Sequence, residues 1–151
     1  MYNRPEELDE LLASILIQEY NEAFDVCIIE DGSSVKSDLI VEKYRNEFPI
    51  HYFEKENTGP GPSRNFGMQK ATGNYFVILD SDVILPKHYL ATVAKQLEHK
   101  YTDAFGGPDA AHPNFSVLQK AINYSMTSFI TTGGIRGKKS SVEKFQPRSV
   151  N

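Results

Sequence analysis

Between Tyr75 and Asp82 the chain reads Tyr-Phe-Val-Ile-Leu-Asp-Ser-Asp, an apolar run of strand length that stops in two carboxylates one residue apart. Residues two apart on an extended segment point to the same side, so Asp80 and Asp82 can face one site. A run that is apolar at every position fits a strand buried on both faces, as in a parallel sheet covered by helices. Ligands of open α/β sheets bind beyond the carboxyl ends of the strands, which is where these two aspartates fall. Carboxylate oxygens there suit a hard divalent cation that in turn holds a phosphate-bearing ligand. Asp-Ser-Asp is equally ordinary turn and helix-capping chemistry, and these residues alone leave both readings open.

The rest of the chain alternates helix and strand signals. Asn3-Arg4-Pro5-Glu6-Glu7 reads as a helix start, with a capping Asn, an early Pro and acids against the positive end of the dipole. Leu8, Leu11, Leu12, Ile15 and Leu16 then recur at helical spacing. Phe24 to Ile29 reads as a buried strand ending in Glu30-Asp31-Gly32-Ser33-Ser34, which brings further acids to the ligand edge of the sheet. A helix over about 37–46 has Leu39, Ile40, Lys43 and Tyr44 as its expected inner face, and Ile50 to Phe53 is a third short element. Asn57-Thr58-Gly59-Pro60-Gly61-Pro62 breaks regular structure, because its prolines lack N–H donors and its glycines are costly to order. A helix opens at Ser63 and runs to about Ala71. The Gly-rich loop before it can offer amides to a phosphate or serve as a rigid connection, and no Gly-Lys-Ser/Thr follows to make it a Walker loop. Pro86 opens another helix, with Tyr89, Leu90, Val93, Ala94 and Leu97 on one stripe. A short strand is expected over 103–109 and a helix over 115–129. Such alternation predicts an α/β domain with an open, mainly parallel sheet flanked by helices.

Bulk properties narrow the function classes. The 151 residues suit one domain, and 40% hydrophobic with 24% charged residues is ordinary globular composition. A net charge of −4 argues against nucleic acid as a partner. Basic residues gather late, at Arg136, Lys138, Lys139, Lys144 and Arg148, which reads first as a solvated, partly disordered tail and second as a phosphate or membrane-surface contact. Cys27 stands alone inside an apolar run, so it reads as buried and inert, in a reducing compartment. No stretch approaches the ~18–20 apolar residues of a membrane span, and no signal peptide precedes the first helix. A cytoplasmic location follows as the expectation, with the membrane surface as a peripheral alternative.

Taken in order, these pieces resemble family 2 glycosyltransferases, nucleotide-sugar enzymes with the GT-A fold. Tyr2-Asn3-Arg4 resembles that family's opening, and Glu30-Asp31-Gly32-Ser33 its Asp-Asp-Gly-Ser signature, with Glu30 for the first Asp. Asn57-Thr58-Gly59 and Ser63-Arg64-Asn65-Phe66-Gly67 resemble its Asn-X-Gly loop and Ala-Arg-Asn-X-Gly helix, and Asp80-Ser81-Asp82 its Asp-X-Asp. The match covers roughly residues 2–110. It implies transfer of a sugar from a UDP- or GDP-sugar to a hydroxyl of a saccharide or lipid-linked acceptor, in polysaccharide biosynthesis, with inversion. Tyr2 and Arg4 would line the nucleotide pocket, Asp31 would hydrogen-bond the base, and Arg64 and Asn65 would lie at the diphosphate or ribose. Asp80 would touch the ribose or a metal-bound water, and Asp82 would coordinate Mg²⁺ or Mn²⁺ at the phosphates, stabilising charge on the leaving diphosphate. Gly106, Gly107 and Asp109 would lie toward the acceptor.

The sequence departs from that family in two places. Family members lead into the Tyr-Asn pair with a central apolar strand, whereas this sequence begins at Met1-Tyr2. The resemblance therefore implies an incomplete sheet, with a longer parent chain, an oligomer or a partner segment covering the exposed strand edges. Inverting members also carry a general base in a Glu-Asp pair downstream, yet beyond Asp109 the sole acid is Glu143. His112 is a weak stand-in. General-base help is worth ~10²- to 10⁴-fold, so a module that binds nucleotide-sugar without turnover is the competing expectation. A sugar-phosphate nucleotidyltransferase, of similar fold, is a third, but its Gly-rich basic loop after the first strand is missing. The expected organisation is a partial nucleotide-sugar-binding domain over 1–130 and the start of an acceptor-side region over 131–151.

Overall fold

The computed structural model describes residues 1–106 and 116–127. Its contacts divide the chain into two units, the first being Met1–Tyr101 and the second beginning at Thr102. In the first unit the order is α1 (Pro5–Leu16), β1 (Val26–Asp31), α2 (Asp38–Tyr44), β2 (Ile50–Lys55), α3 (Pro60–Lys70) and α4 (Tyr89–His99). The described part of the second unit holds α5 (Val117–Thr127).

The leucine stripe of α1 builds the core. Leu8, Leu11, Leu12 and Ile15 are buried against Ile28 of β1, Ile50 of β2, Val41 and Tyr44 of α2, and Phe48 and Leu85 from loops. Each such side chain contributes about 2 kcal/mol by leaving water. On α2 the expected inner face holds at Tyr44, which is buried, and in part at Ile40, but is corrected elsewhere: Val41 is buried, Leu39 is 80% exposed, and Lys43 pairs with Asp9 at the surface. Tyr44 caps that contact by donating to Asp9 Oδ1 at 2.5 Å.

Strands β1 and β2 pair in parallel, Val26 opposite Ile50 through Asp31 opposite Lys55. On the far side of β1 the sheet continues for one residue. The Met1 amino group donates to Ile29 O at 2.7 Å, and Asp31 N donates to Met1 O at 2.8 Å. Helix α3 lies over β1 because Gly67 has no side chain; a Cβ there would come within 3.3 Å of Ile29 Cγ1. Half-burial pushes the Cys27 thiol up, so it stays protonated and unreactive at neutral pH.

The structure corrects the expectation for 75–79. That run forms no ladder, and Phe76, Val77 and Ile78 are 38–49% exposed. A strand needs a hydrogen-bonded neighbour, and none of the described residues pairs with Phe76–Leu79. Position is instead fixed from the flank: Leu79 and Val83 pack against the core, and the Ser14 hydroxyl on α1 accepts from Leu85 N at 3.0 Å. Gln18, just past α1, donates to Pro86 O at 2.9 Å and accepts from Leu90 N at 3.1 Å.

Smaller differences have local causes. Helix α3 starts at Pro60 rather than Ser63, because a first helical turn leaves its amides unbonded and so tolerates both prolines. Asn3 does not cap α1; its φ is +51°, and its side-chain oxygen accepts from Ser34 N at 2.8 Å and Val35 N at 2.9 Å. Residues 103–106 form no strand, and the rest of that expected element lies outside the described residues.

Candidate functional site

Three segments meet at the carboxyl ends of the strands: the end of β1, the loop into α3, and 80–82. Their carboxylates fall into two kinds.

Glu30 and Asp31 are buried, 2% and 4% exposed. Glu30 accepts from the Ser33 hydroxyl, from Ser37 N at 3.2 Å and from the Tyr52 hydroxyl at 3.1 Å. Burial, with the Glu30 charge beside it, pushes the Tyr52 hydroxyl well above its ordinary value, so it remains a donor. Asp31 turns to the other face of the strand, where the parallel register sets Lys55 beside it. The Lys55 ammonium donates to the Asp31 carboxylate, Thr58 N donates at 3.0 Å and Gly59 N at 2.9 Å. Burial opposes the charge on Asp31, but the Lys55 ammonium, these two amides and the Ser63 hydroxyl outweigh it and hold the carboxyl at about 2. Two amides ahead of α3 are thereby consumed inside the protein, which makes the 57–59 loop a rigid connection rather than an open phosphate cradle. Gly32 is required here. Its φ is +75°, and a Cβ would stand 2.7 Å from Asn57 N. Asn57 closes the same corner by donating to Asp31 O at 2.9 Å.

Asp80 and Asp82 are of the second kind, with side chains 63% and 59% exposed. Arg64, on the first turns of α3, meets Asp80 at 2.7 Å, while Arg4, at the start of α1, lies 3.7 Å from Asp82. Arg4 also bonds Glu7 at 3.2 Å. Tyr2, Arg4, Arg64, Asp80 and Asp82 line a single cavity of about 790 Å³, whose deeper walls are apolar. Two guanidiniums facing two carboxylates form a mixed-charge mouth suited to a polar, anionic ligand head.

Not every expected residue joins this cavity. Asn65 is exposed on α3, and Asp31 sits behind the loop rather than in the lining. Gly106 is described but belongs to the second unit, while Gly107, Asp109, His112 and Glu143 lie outside the described residues. Lys55 was not anticipated from the sequence. A cation closing a strand whose neighbour closes in an acid was the available signal, and it needs the strand register to be read.

Among the described residues no three His, Cys, Asp or Glu side chains gather as a metal cage. Two carboxylates one residue apart still fit Mg²⁺ or Mn²⁺, which take one or two protein carboxylates and complete their shell with phosphate oxygens and water. No described helix is long and apolar enough to cross a membrane.

Comparison with known proteins identifies the family and the fold. The family model described as Glycosyl transferase family 2 matches residues 1–146. Poly(ribitol-phosphate) beta-N-acetylglucosaminyltransferase TarS of Staphylococcus aureus is 31% identical over 105 residues, 68% of this chain and 18% of TarS. Abequosyltransferase RfbV of Salmonella typhimurium is 37% identical over 102 residues, 64% of this chain and 30% of RfbV. The crystal structure of S. aureus TarS 1–349 in complex with UDP superposes with a TM-score of 0.63 at 28% identity, covering 72% of this chain and 36% of that one. The chain therefore spans under a third of the length of these curated relatives. With the family model matching nearly the whole chain and the TarS structures sharing its parallel βα layout, the chain belongs to glycosyl transferase family 2 and carries part of its GT-A fold.

Proposed function

We propose that this chain supplies the nucleotide-sugar side of a glycosyl transfer, in which an acceptor hydroxyl attacks the anomeric carbon of a UDP- or GDP-sugar with inversion. The observation that carries the reading is the shared mouth formed by Tyr2, Arg4, Arg64, Asp80 and Asp82. Structures of a similar protein, TarS 1–349, in complex with UDP and with UDP-GlcNAc add support for a nucleotide donor. Arg4 and Arg64 exchange their aspartate partners for the diphosphate, and Tyr2 packs on the nucleoside. Asn65, on the exposed face of α3 outside this cavity, is assigned no contact with the donor. Asp31 acts by holding the 57–59 loop and the start of α3, not by touching the base. Asp80 and Asp82 would hold Mg²⁺ or Mn²⁺, which supplies charge neutralisation for the departing diphosphate. On the acceptor side we assign Gly106, Gly107 and Asp109, and the acceptor as a saccharide or lipid-linked acceptor.

A thermal-shift titration with UDP and GDP, with and without Mg²⁺, tests this. A metal-dependent rise that Asp82→Ala removes is the expected result; no shift with either nucleotide would overturn it. The second reading is nucleotide-sugar binding without turnover. Release of UDP or GDP from donor and acceptor by this chain would exclude that second reading.

A further inference from the structure

Asn3 departs from two local rules at once. Its φ of +51° is the one positive φ at a non-glycine position among the described residues, in a region that crowds Cβ against the backbone and that Asn tolerates better than most side chains. It also stands beside the start of α1 without capping it, and α1 has no side-chain cap at all. The side chain is turned instead to the loop after β1. Asn3 Oδ1 accepts from Ser34 N at 2.8 Å, from Val35 N at 2.9 Å and from the Ser34 hydroxyl at 3.2 Å. Asn3 N donates to Ser33 Oγ at 2.7 Å, and the Ser33 hydroxyl donates in turn to Glu30. Glu30 is 2% exposed, and its second carboxylate oxygen is held by Ser37 N and the Tyr52 hydroxyl. Asn3 is thus tied to a buried anchor shared by β1, β2 and the start of α2.

We propose, resting on the nucleotide-sugar reading above, that Asn3 is a positioning residue of the donor mouth. Its left-handed turn, locked through Ser33 onto Glu30, sets Tyr2 and Arg4 against the bound nucleotide diphosphate. Tyr2 and Arg4 flank Asn3 and both line the cavity, whereas Asn3, Ser33 and Glu30 do not, so these three act through their neighbours. Tyr2 is 52% exposed and the Arg4 side chain 49%, and exposed contacts hold a side chain weakly. The backbone between them therefore decides where they project. A residue in a rare backbone conformation persists only where its surroundings over-determine it, and such residues gather at ligand sites. The bonds to Ser33, Ser34 and Val35 supply that constraint here. Glu30 has a defined part in it. By taking the Ser33 hydroxyl proton it orients that hydroxyl as a donor, which leaves the oxygen lone pairs of Ser33 to accept from Asn3 N.

The test is calorimetry of UDP with Mg²⁺ on the whole chain, wild type and variants, with Tm measured alongside. Asn3→Gly keeps the left-handed backbone accessible but removes the acceptor, and Ser33→Ala removes the tie to Glu30. Each is expected to raise the Kd for UDP about tenfold, because the mouth is no longer preorganised, while Tm falls by less than about 5 °C. Ser33→Thr keeps the hydroxyl and is expected to bind UDP as the wild type does. Amide exchange at Ser34 and Val35 is expected to quicken about tenfold in Asn3→Gly. An unchanged Kd in both Asn3→Gly and Ser33→Ala, with the wild type binding UDP, overturns the proposal and leaves the nucleotide-sugar reading standing. Equal weakening by Ser33→Thr also overturns it, since the hydroxyl would then not be what matters, as does weakening that appears only with a larger fall in Tm. A wild-type chain that binds neither UDP nor GDP removes that reading and this proposal with it.

Discussion

Two acidic pairs stand at one rim and are treated in opposite ways. Glu30-Asp31 is buried and every strong acceptor is met, by Ser33, Ser37 and Tyr52 on one face of β1 and by Lys55, Thr58 and Gly59 on the other. Asp80 and Asp82 are more than half exposed, each facing one arginine. The first pair is committed to structure, because a buried charge survives only if fully partnered. The second can release its partners, because exposed ion pairs are worth ~0–1 kcal/mol and exchange readily with water, metal or phosphate. Burial, rather than residue type, separates scaffold from ligand-facing acid here.

Removing Asp31 should produce the largest effect. Asp31→Ala leaves the Lys55 charge and two amides unpaired and is expected to cost about 3–5 kcal/mol in urea unfolding, against under about 0.5 kcal/mol for Asp82→Ala. Equal losses would break the contrast. Next comes Gly32→Ala, which forces a Cβ toward Asn57 N at a φ of +75° and is expected to cost about 2 kcal/mol or more. Acid titration sharpens the comparison from the pH side. Asp31 ionises at about 2 in the fold against 3.8 normally, so its stabilisation is complete above about pH 4 and is lost as pH falls toward 2. A loss of about 2 kcal/mol over that window is expected, absent in Asp31→Asn. Arg64→Ala, like Asp82→Ala, is expected to cost under about 0.5 kcal/mol of stability, fading with added NaCl; the same variant should weaken UDP binding, measured by calorimetry, about tenfold or more.

Much of the layout was legible in the chain because it is local. Leu8, Leu11, Leu12 and Ile15 of α1 read as a stripe and are buried, while Leu16 at its end is exposed; the acids at 30–31 and 80–82 read as rim residues, the first pair closing β1 and the second following the unpaired 75–79 run. Element limits slipped where locality fails. Pro60 and Pro62 look like breakers until their place in a first turn is known, and Leu39 looks like core until α2 is set on the sheet with Val41 inward.

The sequence by itself determined the periodicities, the turn glycines and the order of motifs, since each rests on neighbours within a few residues. Only the tertiary structure decided that Asp31 belongs to Lys55, that Asp80 and Asp82 belong to arginines from two different helical starts, and that Phe76–Leu79 forms no ladder. The physical reason is pairing across space. A carboxylate's cost and a strand's existence depend on which partner the fold brings alongside, and spacing along the chain does not encode that partner.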